Sequence, residues 1–198
     1  MASATKPDRL WFTPDDAANE LIARDPFALL IGFALDQQVS VQKAFSSPRD
    51  LKERLGGELD ACKIAAMDTG ELEQIFFSKP ALHRFPGAMA KRVQDLAATV
   101  CDEYGGNAER VWRDAADGQD LKRRLAALPG FGDMKVRASL AVLAKRFGVD
   151  LPGMDEVVPT HPTLGDVDSA EALERYQALK RAYKAKLKAQ GADSAAPG

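Results

Sequence analysis

The sequence has 198 residues, of which 45% are hydrophobic and 28% are charged, so it has enough apolar side chains for a sizeable globular core. Its net charge of −2 argues against a polybasic protein that coats nucleic acid or membranes, but it does not exclude a local basic surface. The length fits one compact domain or one domain of two lobes.

Helical patterns dominate the first half of the chain. The run Thr13-Pro14-Asp15-Asp16 predicts a helix with Thr13 as its N-cap and Pro14 in its first position, ending before Pro26. Apolar residues then recur at helical spacing and predict one buried central helix over 27–41. Three shorter helices are predicted at 48–56, 58–66 and 69–78.

The second half is also helical. A long helix is predicted over 87–104, ended by Gly105-Gly106, and a turn over 107–117 follows it. Two further helices, 118–127 and 133–147, flank a short turn, and a loop rich in Pro and Gly spans 148–167. A charged helix is predicted over 169–189. No alternating run of β-branched residues is long enough for a sheet, so the sequence predicts an all-α protein.

The two cysteines, Cys62 and Cys101, are 39 residues apart. Only His83 and His161 could add ligands, so the sequence predicts no metal centre. No segment has the length and hydrophobicity of a signal peptide or a membrane span. We therefore expect reduced thiols and a soluble, cytoplasmic protein with no membrane partner.

The strongest functional signal is the turn Leu128-Pro129-Gly130-Phe131-Gly132 between two predicted helices. Two glycines at i and i+2 allow a tight turn and leave backbone amides unobstructed at the start of the next helix. Such amides, together with the helix dipole, favour an anion.

The charges around this turn are mainly basic. Residues 121–148 contain seven Lys and Arg and one acid, Asp133, for a net charge of +6, which leaves −8 for the rest of the chain. A glycine-rich corner with solvated basic side chains is the alternative interpretation; the combination with flanking helices favours phosphate binding.

Three segments resemble the HhH-GPD superfamily of base-excision DNA glycosylases, which includes endonuclease III and the alkylpurine glycosylases. The turn 128–132 resembles the helix-hairpin-helix motif, and Ile31 to Val41 (IGFALDQQVSV) is similar to the "GQQVSV" helix of the alkylpurine branch. Phe147-Gly148 and the following loop resemble the GPD part. The resemblance spans roughly 26–165, in the right order.

The resemblance implies a two-lobed HhH-GPD DNA glycosylase fold with a DNA-binding cleft between the lobes. Residues 1–25 then form an N-terminal helix on the core, and 26–168 form the HhH-GPD domain with its hairpin at 121–147. Residues 169–190 form a charged C-terminal helix, and 191–198 a disordered tail.

The resemblance also implies how DNA is bound. The amides of Gly130 and Gly132 would hold a phosphate, with Phe131 in the same turn, and a monovalent cation is the only cofactor expected. Lys135 and Arg137 add positive charge, and Gln38 stands where the family places a residue that wedges into the duplex beside a flipped nucleotide.

A carboxylate is expected to stabilise the oxocarbenium-like sugar and to orient water. Asp155, the seventh residue after Gly148, is the candidate from the family spacing. Asp150 and Glu156 are competing carboxylates. In an alternative register, Thr160-His161 matches the family's Thr-His, but Pro159 then occupies the place of the catalytic Asp.

The lyase lysine of the bifunctional members is replaced by Met134. Lys135 is one residue later, and therefore about 100° round the helix. We expect a monofunctional, monomeric DNA glycosylase that acts on duplex DNA with a damaged base. The alternatives are a catalytically inactive DNA- or lesion-binding protein, and a helical interaction protein with a purely structural turn.

Overall fold

A computed structural model describes residues 6–193, and no β-strand occurs within this range. The predicted all-α class is confirmed. The helices are α1 (Asp16–Arg24), α2 (Pro26–Leu35), α3 (Val41–Arg54), α4 (Ala61–Ala66), α5 (Thr69–Phe77), α6 (Pro86–Tyr104), α7 (Arg110–Arg113), α8 (Gly118–Ala127), α9 (Asp133–Phe147), α10 (Met154–Val157) and α11 (Ala170–Asp193). A 3₁₀ turn, Leu164–Asp166, precedes α11. None of the helices in 6–193 is long and apolar enough to cross a bilayer.

The first helix starts two residues later than the sequence predicts. Asp15, not Thr13, is the N-cap of α1, and its carboxylate accepts the backbone N–H of Ala18 at 3.1 Å. Thr13 lies before the helix, where its carbonyl accepts the side-chain amide of Asn19 at 2.7 Å. A carboxylate is the stronger acceptor for a helix N-terminus, which accounts for the shift.

The predicted central helix over 27–41 is two helices. Residues Phe27 to Leu35 of α2 are all buried, as predicted, but α2 ends at Leu35 and Gln38 lies in the loop that follows it. Ser40 then caps α3 by accepting the backbone N–H of Lys43. This second cap restarts the helix.

The predicted helix start at Ser47-Pro48 is wrong, because Pro48 lies inside α3. Ser47, next to it, is fully buried, and its hydroxyl lies 2.7 Å from the Lys43 carbonyl and 2.8 Å from the Leu82 carbonyl. The Ser47 hydroxyl therefore links α3 to the segment before α6, next to the position where the proline has no N–H to donate.

The later helices follow the prediction more closely. Helices α8 and α9 have the predicted bounds, and α6 ends at Gly105, which has the left-handed conformation of a helix C-cap. The loop over 148–167 contains α10 and the 3₁₀ turn, and α11 runs through the predicted tail as far as Asp193. Residues 194–198 of that tail lie outside the described residues.

One hydrophobic core joins these helices. Helices α1, α2 and α3 pack against one another, α4 and α5 pack on α6, and α8, α10 and the 3₁₀ turn pack on α9. Helix α2 also contacts α6 and α9. The end of α2 is therefore the place where the hairpin α8–α9 meets the first half of the chain.

The sequence predicts reduced thiols, and this prediction is wrong. Cys62 of α4 and Cys101 of α6 form a disulfide. Packing of α4 on α6 brings the two residues together, a long-range contact that sequence spacing does not reveal. The inference of a reducing compartment from free thiols therefore has no support.

Candidate nucleic-acid interface

Of the two glycines in the turn between α8 and α9, the first, Gly130, is required by the backbone conformation. Gly130 has a φ of +83°, and a Cβ there would overlap the side chain of Arg92 from α6, lying 2.9 Å from its Nε. Gly132, the N-cap of α9, has an extended backbone, and no atom lies within 4 Å of a Cβ built on it. Gly130 thus allows Arg92 to approach the backbone, and Gly132 leaves the turn open to solvent.

The turn presents unbonded backbone donors. Within the turn, Phe131 donates its N–H to the Leu128 carbonyl at 3.1 Å. Its side chain is buried, and its ring centroid lies 6.3 Å from that of Phe33. The amides of Gly130 and Gly132 have no acceptor among the described residues, and neither do those of Asp133 and Met134, the first two of α9. These donors point to an anion site at the turn.

Two side chains from distant segments bond the last carbonyls of α2. Lys135 Nζ donates to the Ala34 carbonyl at 2.7 Å, and His83 Nε2 donates to the Leu35 carbonyl at 3.1 Å. The other ring nitrogen of His83 accepts the Phe85 N–H at 3.0 Å, so the imidazole is neutral. Burial lowers its pKa below the usual 6.5. These bonds fix the hairpin and the 83–85 segment to one helix end.

Lys135 is the most perturbed cation of this region. Burial and the nearby Arg92 charge lower the pKa of its ammonium to about 8, against the opposing effect of Asp36. The Arg92 guanidinium in turn donates to the side-chain carbonyl of Gln37. Lys135 and Arg92 therefore lie close enough to repel each other, and a bound anion between them would relieve that repulsion.

We call the surface formed by residues 36–38, 83–85, 92, 130–132 and 135 the hairpin face. Gln38 lies on its exposed loop with a φ of +56°. The predicted site residues Gly130, Phe131, Gly132 and Lys135 lie together on this face, and Gln38 adjoins it through its neighbour Gln37, which accepts from Arg92.

Arg137 and three other basic residues of 121–148 form ion pairs, four of the seven in that stretch. Arg137 pairs with Asp133 at 3.0 Å, and Lys145 pairs with Asp166 at 2.6 Å near the far end of α9. Arg123 and Arg124 both pair with Asp120. The net charge of +6 therefore overstates the free positive charge at the turn.

Asp155 is not brought to the hairpin face. It lies on α10, exposed, beside a shallow depression that includes Gly148 at the C-terminal end of α9. The turn 128–132 is at the opposite end of α9, which has 15 residues, so the two are about 20 Å apart. The structure therefore does not bring Asp155 to the hairpin turn.

A close backbone contact explains the position of Asp155. Gly118 starts α8 and donates its N–H to the Pro152 carbonyl at 2.9 Å, and a Cβ on Gly118 would lie 2.7 Å from the Gly153 carbonyl oxygen. Because α8 and α9 are antiparallel, this contact holds α10 at the end of the hairpin away from the turn.

The hairpin face also contains residues for which no role was predicted from the sequence. Arg92 and Arg84 come from segments outside the basic stretch, and Asp36 lies within the segment Ile31 to Val41. Asp36 is half-buried and near Tyr176 of α11, whose pKa is raised by burial and by the Asp36 charge. No local signal marks these residues, because their proximity comes from packing.

In comparisons with known proteins, no family model, no curated protein and no solved structure matches the chain. Among the described residues, no group of three or more His, Cys, Asp and Glu side chains is arranged to hold a metal ion.

Proposed function

We propose that this chain is a base-excision DNA repair protein of the HhH-GPD type. It binds duplex DNA that carries a damaged base and hydrolyses the N-glycosidic bond of that base, without lyase activity. The observation that carries the proposal is the convergence of unbonded turn amides with Lys135 and Arg92 on the hairpin face. In this proposal the helices around α2 and those around α9 are the two lobes.

The first step is binding of the phosphate backbone. A phosphate oxygen accepts the amides of Gly130 and Gly132, and Lys135 and Arg92 neutralise its charge. A monovalent cation at the turn belongs to the same proposal. These contacts read no base, so they position the duplex without selecting a sequence.

The second step is extrusion of the damaged base. The glycosidic bond cannot be reached inside the stack, and a damaged base costs least to extrude. Gln38 is exposed on its loop, and its flat amide would fill the gap left in the duplex.

Hydrolysis on the hairpin face needs a carboxylate there, and Asp155 is about 20 Å away by the length of α9. Two carboxylates lie near the turn: Asp133, which pairs with Arg137, and Asp36, which forms no ion pair with any side chain that the structure describes. We assign Asp36 the role of stabilising the oxocarbenium-like sugar. A water oxygen bonds to C1′ as the N-glycosidic bond breaks, and a proton of that water ends on the departing base.

The position of Asp155 also favours a second candidate function. If no carboxylate acts at the hairpin face, the protein binds a damaged site without excising the base. The sequence around Thr160-His161 agrees with this candidate, since Pro159 stands where the family has its catalytic Asp.

A panel of duplexes with single alkylated or deaminated bases separates these functions. Base release is scored as strand cleavage after alkali, and lyase activity as cleavage without alkali. We expect base release alone, abolished by Asp36→Asn and retained by Asp155→Asn, which is the matched carboxylate control.

Each other result has a defined meaning. Loss of release in Asp155→Asn but not in Asp36→Asn contradicts the assignment of Asp36. Damage-dependent binding without release from any duplex supports the second candidate. No binding at about 50 mM salt, where phosphate contacts are strong, overturns both functions.

A further inference from the structure

One exposed aromatic ring on the hairpin face has no role in the function proposed above. Phe85, directly before α6, is 41% exposed. The Phe85 carbonyl accepts the Met89 N–H at 3.1 Å, so Phe85 lies one turn before Met89, and Arg92 follows Met89 at i+3 on the same side of α6. The contact between Arg92 and the Met89 sulfur, 3.8 Å, agrees with this arrangement.

The Phe85 ring is held in place although it is exposed. Its backbone N–H donates to His83 Nδ1 at 3.0 Å, and its ring centroid is 6.1 Å from that of His83. The guanidinium carbon of Arg84 lies 5.4 Å from the same centroid, a cation–π contact. Because His83 is itself bonded to the end of α2, the ring has a fixed position relative to the turn.

An exposed, fixed aromatic ring beside basic groups suits one kind of ligand. The π-face of any nucleobase stacks on such a ring, and stacking does not depend on which base it is. The nearby Arg84 and Arg92 favour an anionic polymer over an apolar peptide as the occupant. A base inside an intact duplex cannot reach the ring, since both of its faces are covered by its neighbours.

We propose that Phe85 is a stacking platform for an unpaired DNA base, supported by Arg84. This inference rests on the proposed function, because it requires DNA on the hairpin face. It adds that the protein prefers duplexes in which a base is unpaired or mispaired over fully paired duplexes, independently of any base release.

The test compares binding of a fully paired duplex and a duplex with one unpaired base, by fluorescence anisotropy. Phe85→Ala is expected to weaken binding of the unpaired duplex roughly 5- to 150-fold and to leave the paired duplex nearly unchanged. Phe85→Trp should restore the preference, whereas Phe85→Leu, which is apolar but not aromatic, should not. Since the ring is exposed, thermal unfolding should be almost the same in all three variants.

Phe77→Ala is the matched control. Phe77 is 51% exposed, but it lies next to Gly87, about 200° round α6 from Phe85. We expect it to bind both duplexes as the wild type does. Equal binding of the unpaired duplex by Phe85→Ala and wild type, or an equal loss on both duplexes, overturns the stacking role and leaves the proposed function intact. Absence of wild-type binding to either duplex overturns both.

Discussion

The pH dependence of DNA binding gives a quantitative test of Lys135. Its ammonium has a pKa of about 8, because burial and Arg92 disfavour the charged form. It is therefore about nine-tenths charged at pH 7 and about one-tenth charged at pH 9. If only the charged form holds a phosphate, affinity should fall about tenfold between these pH values, which is about 1.4 kcal/mol.

Two variants isolate this effect in anisotropy titrations of a fluorescent duplex. Lys135→Arg stays charged throughout, so its affinity should not change over this pH range. Lys135→Met removes one phosphate contact, and the slope of log K against log salt should become shallower by about 0.9. A pH profile shared by wild type and Lys135→Arg, or a salt slope unchanged in Lys135→Met, would refute the reasoning.

Three further predictions concern stability. Gly130→Ala should lower the free energy of unfolding by about 1–2 kcal/mol or more, because φ is positive there and the new side chain meets Arg92. Gly132→Ala should lower it by only a few tenths of a kcal/mol. Urea titrations measure both values. The pKa of His83 is lowered in the folded state, so stability should be lost as the pH falls from about 6.5 through the folded pKa, and less so in His83→Gln. Reduction of the Cys62–Cys101 disulfide, which closes a 39-residue loop, should cost up to about 4 kcal/mol.

Each of these predictions has a contrary result. Equal urea midpoints for the two glycine variants would show that the turn does not need the left-handed conformation. If wild type and His83→Gln lose stability over the same pH range and to the same extent, a group other than His83 is responsible for the loss. Two free thiols in the native protein, detected by alkylation and mass measurement, would contradict the disulfide.

The features that the sequence predicts correctly are those set by neighbouring residues. Helices α8 and α9 have their predicted bounds because the Pro-Gly turn between them and Gly148 after them end or start a helix locally. Burial of α2 follows from its unbroken apolar run.

The features that it misses depend on contacts distant in sequence. The end of α2 at Leu35 is bonded by His83, and Arg92 reaches the turn from α6. The position of Asp155 depends on a contact between Gly118 and Gly153. A seven-residue spacing from Gly148 carries no information on that contact, so the spacing could not show that Asp155 lies away from the turn.

The central claim is that phosphate binds at the amides of the turn, and amide chemical shifts in ¹⁵N-labelled protein test it most directly. On titration with duplex DNA at about 50 mM salt, where phosphate contacts are strong, the largest shift changes should fall on Gly130, Gly132 and Asp133, with smaller ones on 36–38 and 84–92. Unchanged turn amides, or changes confined to the Asp155 end of α9, would contradict the account.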